Sequence, residues 1–426
     1  MKLTSYWHDT APAGGATGPV AGRCDVAVIG AGFTGLGAAR RLAMAGSDVV
    51  VFEAETVGFG ASGRNGGHLN NGLAHSYLAA RAEFGAGKAA ALYRAFDDGI
   101  DRIEQIIAEE GIDCAFRRSG KLKLASKPGH MDAIAKNFAA IHAEVDPDTA
   151  LLSRDDLRAE IGSDIFHGAM LQKKSAMIHM GRFVTGLAEA AVRRGAVIHE
   201  HAPVTARRAE GRGWRLETPK GAILADRVLL ATGAYTTPAF PWFRRRIVPV
   251  GSFLLATRPL SADEIAATMP GNRTCVTSLN IGNYFRLAPD NRLIFGGRAR
   301  FSARSDQRSD ARSGAILRRA LAGIFPHLAD VAVDYCWGGL VDMTADRFPR
   351  AGEADGVTFA MGYSGHGAQI ATRMGEVMAD RILGRPGADA RNEFLDLPWG
   401  RVPLHTGKPW FLPLVGLYYK AKDMVE

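Results

Sequence analysis

The sequence predicts an α/β fold built around a parallel sheet. Near the N-terminus an apolar run, a glycine turn, a helical pattern and a second apolar run succeed one another from Asp25 to Glu53. Near the C-terminus the apolar run Val357–Met361 again enters a glycine-rich turn and a helix. Glycine makes up 50 of the 426 residues, while 47% are hydrophobic and 23% charged. That balance describes a globular chain with many tight turns and excludes a disordered one. At about 150 residues per domain, the length allows two or three domains.

Asp25–Ile29 ends at Gly30 as a buried parallel strand does, and Gly30-Ala31-Gly32-Phe33-Thr34-Gly35 is a GxGxxG. Leu36, Ala39, Leu42 and Ala43 then share one helical face, with Gly46 as the stop. A second strand, Asp48–Phe52, ends at Glu53, 23 residues after the first glycine. This is a Rossmann-like dinucleotide-binding unit. Gly30 makes the tight turn, Gly32 admits a pyrophosphate to the helix N-terminus, and Gly35 lets helix pack on strand. Glu53 can accept hydrogen bonds from ribose hydroxyls and would repel a 2′-phosphate.

After Glu53 no regular βα unit follows. Gly58–His68 is instead a second glycine-rich loop carrying Ser62, Arg64 and Asn65. It suits FAD better than a nicotinamide cofactor, because small residues leave room for a flat ring and Arg64 complements phosphate charge. Met180–Tyr235 adds a helix (Phe183, Leu187, Ala190, Ala191), a strand at Ala196–His201 and a hairpin of Trp214–Thr218 with Ala222–Leu224. The strand Arg227–Ala234 then ends in Ala231-Thr232-Gly233. After Val357–Met361, the turn Gly362–Gly367 leads to a helix expected to begin at His366 and stop at Gly384. Its free N–H groups suit negative charge on a reduced flavin.

These motifs resemble the FAD-dependent amine and amino-acid oxidases of the D-amino-acid oxidase/glycine oxidase superfamily, in particular its γ-glutamylputrescine oxidase-like branch. The resemblance rests on VIGAGFTGLGAARRLAMAGSDVVVFEAETVGFGASGRNGGH (28–68), YFRLAPDNRLIFGGR (284–298), WGGLVDMTADRFPRAG (337–352) and GYSGHGAQIATRMGEVMADRILG (362–384). It implies a Rossmann-like FAD-binding domain of the GR2 type over 23–88, 151–248 and 339–385. A discontinuous α+β substrate domain with an antiparallel sheet roofing the flavin takes 89–150 and 249–338. The first of these stretches holds a long helical pattern and Gly120–Ala125, and the second short strands and a helix near Asp310–Ile324. Residues 386–426 form a tail whose Trp399, Trp410 and Phe411 pack along the surface.

The resemblance also implies the site. FAD contacts are expected from Gly30, Gly32, Phe33, Thr34, Gly35, Glu53, Ala54, Gly60, Ala61, Ser62, Arg64, Asn65, Gly66, Gly67, His68, Val204, Ala231, Thr232, Gly233, Asp346, Gly365, His366 and Gly367. Tyr284, Arg286, His68 and His366 are the candidate catalytic residues. Tyr284 shapes the pocket; Arg286 either supplies positive charge for substrate or oxygen, or pairs with Asp290 at the surface. The resemblance places the stretch of Asp342, Thr344, Asp346 and Arg347 near the pyrimidine edge of the flavin; the alternative is that Asp346 and Arg347 form a buried structural bridge. Glycine oxidase-type enzymes carry an arginine after Gly-Leu in the third motif, where it grips a substrate carboxylate. Val341 stands there in this chain, so an amine whose carboxylate is distant or absent fits better than a simple α-amino acid.

The implied reaction is oxidation of a CH–NH group of a small amine, a polyamine conjugate or secondary amine. Hydride goes to flavin, the imine is hydrolysed, and O2 or another electron acceptor takes the electrons. The alternative is an FAD dehydrogenase of a hydroxy or amino acid that feeds a quinone or other acceptor. Lysine and arginine number 52 against 44 acids, a net charge of +8. The short clusters Arg40-Arg41, Arg193-Arg194, Arg244–Arg246 and Arg318-Arg319 read as solvated surface, so no nucleic-acid partner is expected. The four cysteines are far apart without metal-ligand spacing, which fits reduced thiols, a cytoplasmic location and no metal. Neither a secretory signal nor a membrane span is expected.

Overall fold

The computed structural model describes residues 1–11, 14–15, 18–297, 311–395 and 397–425. Its first sheet runs Arg350–Ala354, Val357–Met361, Gly221–Leu230, Arg23–Ile29, Val49–Phe52, Val197–His199. The five strands from Val357–Met361 onward are mutually parallel, and Arg350–Ala354 is an antiparallel edge. The hairpin strand and the strand before Ala231 are one continuous strand, Gly221–Leu230. Its first half pairs with Gly213–Thr218 and its second with Arg23–Ile29. Ala206–Glu210 extends the hairpin by a strand that sequence patterning missed, because Arg207, Arg208 and Glu210 give it no apolar face.

Two helices, Phe33–Met44 and Ala371–Ile382, cover one face of this sheet and cross closely. A Cβ on Gly37 would lie 2.6 Å from the Thr372 carbonyl oxygen, and one on Gly375 would lie 2.0 Å from that of Thr34. The crossing therefore needs both glycines. Arg40 is a correction to the solvated-surface reading. It is 1% exposed and bonds Glu109, Glu110 and Glu376, tying three helices together. Arg193 and Arg194 pair with Glu110 from the same network.

The second sheet runs Val333–Met343, Val248–Pro259, Arg292–Gly297, Asn283–Leu287, Thr274–Thr277, Lys121–Leu124, Ala169–Gln172, Ala150–Leu152. It is antiparallel except that Thr274–Thr277 runs parallel to Lys121–Leu124. Those two strands come from separate chain segments, so no hairpin fixes their direction. Ala150–Leu152 and Ala169–Gln172 also belong here, although 151 onward was expected in the first domain. Val333–Met343 likewise runs past the expected boundary at 339. The apolar faces of the second sheet and of the Ala311–Ile324 helix close their own core. Asp310 and Arg298, both within expected motifs, lie outside the described residues.

Two terminal segments fold back on the sheets. Tyr6–Thr10 is a short helix whose Trp7 is fully buried. The tail contains a helix, Leu412–Val425, that was not expected, because its sequence shows no segregation of charge. The Asp423 carboxylate caps a loop by accepting from Asn280 N, Asn280 Nδ2 and Ile281 N, each at 2.8 Å. All four cysteines are free and buried. No helix among the described residues is long and apolar enough to cross a membrane.

Candidate functional site

A cavity of about 1130 Å³ lies between the two sheets. Its floor is the GxGxxG turn. Gly30 has φ +105°, and a Cβ on it would lie 2.8 Å from the Ala231 carbonyl oxygen; one on Gly35 would lie 1.8 Å from that of Gly30. Only glycine lets this turn and the Phe33–Met44 helix approach the strands so closely. Ser62 Oγ accepts the Phe33 N–H at 3.0 Å at the helix N-terminus. Glu53 follows the neighbouring strand, accepting the Ala31 N–H at 2.8 Å and the Glu55 N–H at 3.1 Å. Burial holds its carboxyl above the ordinary range despite these bonds.

The Gly58–His68 loop is held by its own side chains and from behind. Asn65 Nδ2 donates to the carbonyls of Ala61 and Ser62, and its Oδ1 accepts from Gly67 N. Arg64 donates to the carbonyls of Phe59 and Gly338, which fixes its side chain against the loop. The N-terminal segment grips the far side: Ser5 Oγ donates to the Gly63 carbonyl and Trp7 Nε1 to that of Asn65. Sequence reasoning found the loop but not this strap, which carries no motif.

Asp342 organises the second glycine turn. Its Oδ2 accepts the Gly362 N–H at 2.7 Å, and burial pushes its carboxyl up to about 6. Gly362, Ser364 and Gly365 all have positive φ, and the helix begins only at Ala371. His366 therefore sits in the turn, not at the helix start: its N–H closes the turn on the Tyr363 carbonyl at 2.9 Å. Thr34 Oγ1 and Tyr363 OH, 2.8 Å apart, join the two glycine turns.

Most expected cofactor residues line this one cavity: Gly30, Gly32, Phe33, Thr34, Glu53, Ala54, Gly60, Ala61, Ser62, Arg64, Asn65, Gly66, His68, Val204, Ala231, Thr232, Gly233, Gly365, His366 and Gly367. Gly35 and Gly67 support the lining from beneath. Asp346 is a correction: its carboxylate pairs with Arg350, not Arg347, and it does not line the cavity. Arg347, in the turn after Thr344 at φ +62°, lines the cavity instead.

Of the catalytic candidates, Tyr284, His68 and His366 line the cavity and Arg286 does not. The His68 and Tyr284 rings meet edge to face at 5.7 Å, and Tyr284 OH lies 3.1 Å from Ser252 Oγ. His68 is buried with no partner on Nε2 among the described residues. Burial, then the charges of Arg286 and Lys121, hold its proton affinity well below the ordinary value, so the imidazole is neutral. Arg286 is 1% exposed, and the surface pairing with Asp290 is not observed: Asp290 pairs with Arg292. Arg286 instead donates to the Gly67 carbonyl at 3.0 Å, beneath the loop that carries His68, and lies over the Trp7 ring. Burial pushes its guanidinium down to about 9.

Sequence reasoning passed over Lys121, Lys123, Gln172 and Gln369 as site residues, although they line the cavity; Arg347, expected near the flavin, lines it as well. The signal for the two lysines was alternation: in Lys121-Leu122-Lys123-Leu124 both leucines enter the second core, which sends both lysines to the opposite face. That pattern reads as a solvated strand unless the opposing domain is known.

A family profile described as "DAO: FAD dependent oxidoreductase" matches residues 25–381. The chain belongs to that family. This DAO-family enzyme is 35% identical over 367 residues to the probable oxidoreductase OrdL of Haemophilus influenzae, covering 84% of this chain and 83% of that protein. It is 32% identical over 406 residues to gamma-glutamylputrescine oxidoreductase of Escherichia coli, covering 94% and 93%. Among solved structures, glycine oxidase from Geobacillus kaustophilus matches with a TM-score of 0.74 at 24% identity, over 89% of this chain and all of that one. The fold is thus shared with that enzyme, and the DAO-family chain is an FAD-dependent oxidoreductase. The cavity fits FAD: Gly30, Gly32 and Gly35 leave no room for a Cβ, a glutamate follows the second strand, and His68 Nε2 on the wall has no hydrogen-bond partner among the described residues. Among the described residues, no group of three or more His, Cys, Asp or Glu is arranged to hold a metal.

Proposed function

We propose that the enzyme oxidises the CH–NH group of a small amine, a secondary amine or polyamine conjugate, and passes the electrons to O2. The observation that carries this reading is the wall at Val341. It is apolar, it lines the cavity, and it offers no cation to an α-carboxylate. In this reading Gly30, Gly32, Phe33, Thr34, Glu53 and Ala54 hold the adenosine diphosphate half of FAD. Gly60–Gly67, Val204, Ala231–Gly233 and Gly365–Gly367 enclose the rest. When bound, FAD supplies the two-electron acceptor that takes hydride from carbon beside nitrogen and delivers the electrons to O2 as H2O2.

The chain's own groups orient and desolvate the amine. Neutral His68 accepts a hydrogen bond from the amine N–H, and Tyr284, braced by Ser252, fixes the wall beside it. Burial keeps His68 unprotonated, and Arg286 adds its charge to that effect from behind the loop. Water then hydrolyses the product imine to a carbonyl and a free amine. The relative named gamma-glutamylputrescine oxidoreductase supports an amine as substrate, and four buried free thiols suit a cytoplasmic setting.

Anaerobic mixing of the holoenzyme with a panel of amines tests the reading. Bleaching of the yellow absorbance by amines, with peroxide on readmitting air, is the expected result. Bleaching by hydroxy acids alone would overturn it. A second reading, with an acceptor other than O2, is favoured by one observation: the Arg286 guanidinium sits behind the cavity, its Nη1 on the Gly67 carbonyl, and does not line it. Bleaching by amines followed by slow reoxidation in air and fast reoxidation by a quinone would support that variant.

A further inference from the structure

We propose that Lys123 and Arg347 form a subsite for a carboxylate carried by the substrate at a distance from the nitrogen oxidised. The proposal rests on the amine-oxidation reading above. Lys123 stands on the strand Lys121–Leu124, and Arg347 on the loop after Val333–Met343; both line the cavity. Neither has a carboxylate partner among the described residues. Lys123 Nζ donates to the Thr277 carbonyl at 3.2 Å, and Arg347 Nη2 donates to Tyr419 OH at 3.1 Å. The carboxylates close by are already committed, Asp346 to Arg350 and Asp423 to the N–H groups of residues 280 and 281.

The two cations also oppose each other. Lys123 is pushed down to about 8, first by burial and then by the charge of Arg347. A lysine and an arginine sharing a cavity wall without an anion is an unfavourable arrangement that a bound anion relieves. A guanidinium fork beside one ammonium matches the two oxygens of a carboxylate.

Sheet register supplies a ruler. Lys123 pairs with Val276, and Val276 pairs with Tyr284. The three therefore lie in one row across the sheet, and Lys123 points to the same face as Tyr284, two strands away. At about 4.8 Å per strand, the row spans roughly 10 Å. Since Tyr284 meets His68, where the amine is expected, the substrate is an amine with its carboxylate about 10 Å from the reacting end. This answers the apolar Val341: the carboxylate is recognised at the far wall, not beside the nitrogen.

The test uses 8-aminooctanoate, its carboxamide, and octanoate as a ligand that cannot be oxidised. Wild-type holoenzyme should turn over the acid with kcat/KM at least tenfold above that of the amide. Lys123→Gln and Arg347→Gln should bring the acid down to the level of the amide while leaving the amide rate and FAD content unchanged. Octanoate, followed by calorimetry, should bind wild type and lose at least tenfold in affinity in either variant. Equal kcat/KM for acid and amide in wild type, or variants that lower both alike, would overturn the subsite. If no amine bleaches the holoenzyme, the amine reading falls. In that case octanoate binding that depends on Lys123 and Arg347 would keep the carboxylate site, and its absence would remove that as well.

Discussion

Replacing Glu53 with Gln keeps the side chain's size and removes its charge. One carboxylate oxygen accepts the Ala31 N–H and the other the Glu55 N–H. Each oxygen keeps a lone pair for the ribose hydroxyls. A glutamine has one acceptor oxygen and one NH2, so either way round one backbone N–H faces a donor. Losing a hydrogen bond to a charged acceptor costs about 1.5–3 kcal/mol, and a stranded N–H costs up to about 1–3 kcal/mol more where it is buried, as at Ala31, and less at the exposed Glu55. The first loss falls on the cofactor: FAD should bind roughly 10- to 150-fold more weakly, at about 1.4 kcal/mol per tenfold. The second falls on the apoprotein, whose Tm should drop. Since burial already holds the Glu53 carboxyl above its usual range, FAD affinity in wild type should also fall on acidification. Flavin fluorescence titration of apoprotein, with thermal unfolding alongside, measures both. An FAD Kd within threefold of wild type and an unchanged Tm would refute the ribose assignment.

Trp7→Ala removes a fully buried indole and its bond to the Asn65 carbonyl, so about 3–5 kcal/mol of stability should go. FAD content should fall with it; a variant that keeps full FAD would show the strap to be dispensable. Arg286→Met removes a charge that lowers the proton affinity of His68, so the acid limb of kcat/KM should move to higher pH. An unmoved limb with full FAD content would separate Arg286 from His68. Lys121 is buried and pushed down from 10.5 to about 7. Its protonated form therefore carries a burden on the order of 5 kcal/mol. Because the folded value lies below the unfolded one, wild type should gain stability as pH rises from 7 toward 10.5. Lys121→Met should lose that gain, so its Tm advantage over wild type should be largest at pH 7 and shrink by pH 9.5. A gap independent of pH would mean that desolvation of Lys121 is not the cause.

The cofactor half of the protein was legible in sequence because each of its requirements is local. A turn at φ +105° with a carbonyl at van der Waals contact admits only glycine, so Gly30 and Gly35 announce themselves wherever the fold places them. Glu53 is fixed by the length of one helix and one strand, a distance along the chain. The far wall of the cavity obeys no such rule. Lys121 and Lys123 alternate with leucine as any half-solvated strand would, and nothing in the sequence around Asp346 and Arg347 marks which of the two lines the cavity. Asp346 was misassigned for the same reason, and Arg40 passed for surface although three glutamates from two distant helices surround it.

What the sequence alone determined, then, was the dinucleotide cradle and the identity of the cofactor, because backbone sterics and helix dipoles act within a few residues. Only tertiary structure decided where the charges went. Burial and pairing are properties of the space between segments, and that space formed when the second sheet, the N-terminal strap and the C-terminal helix closed over the cradle.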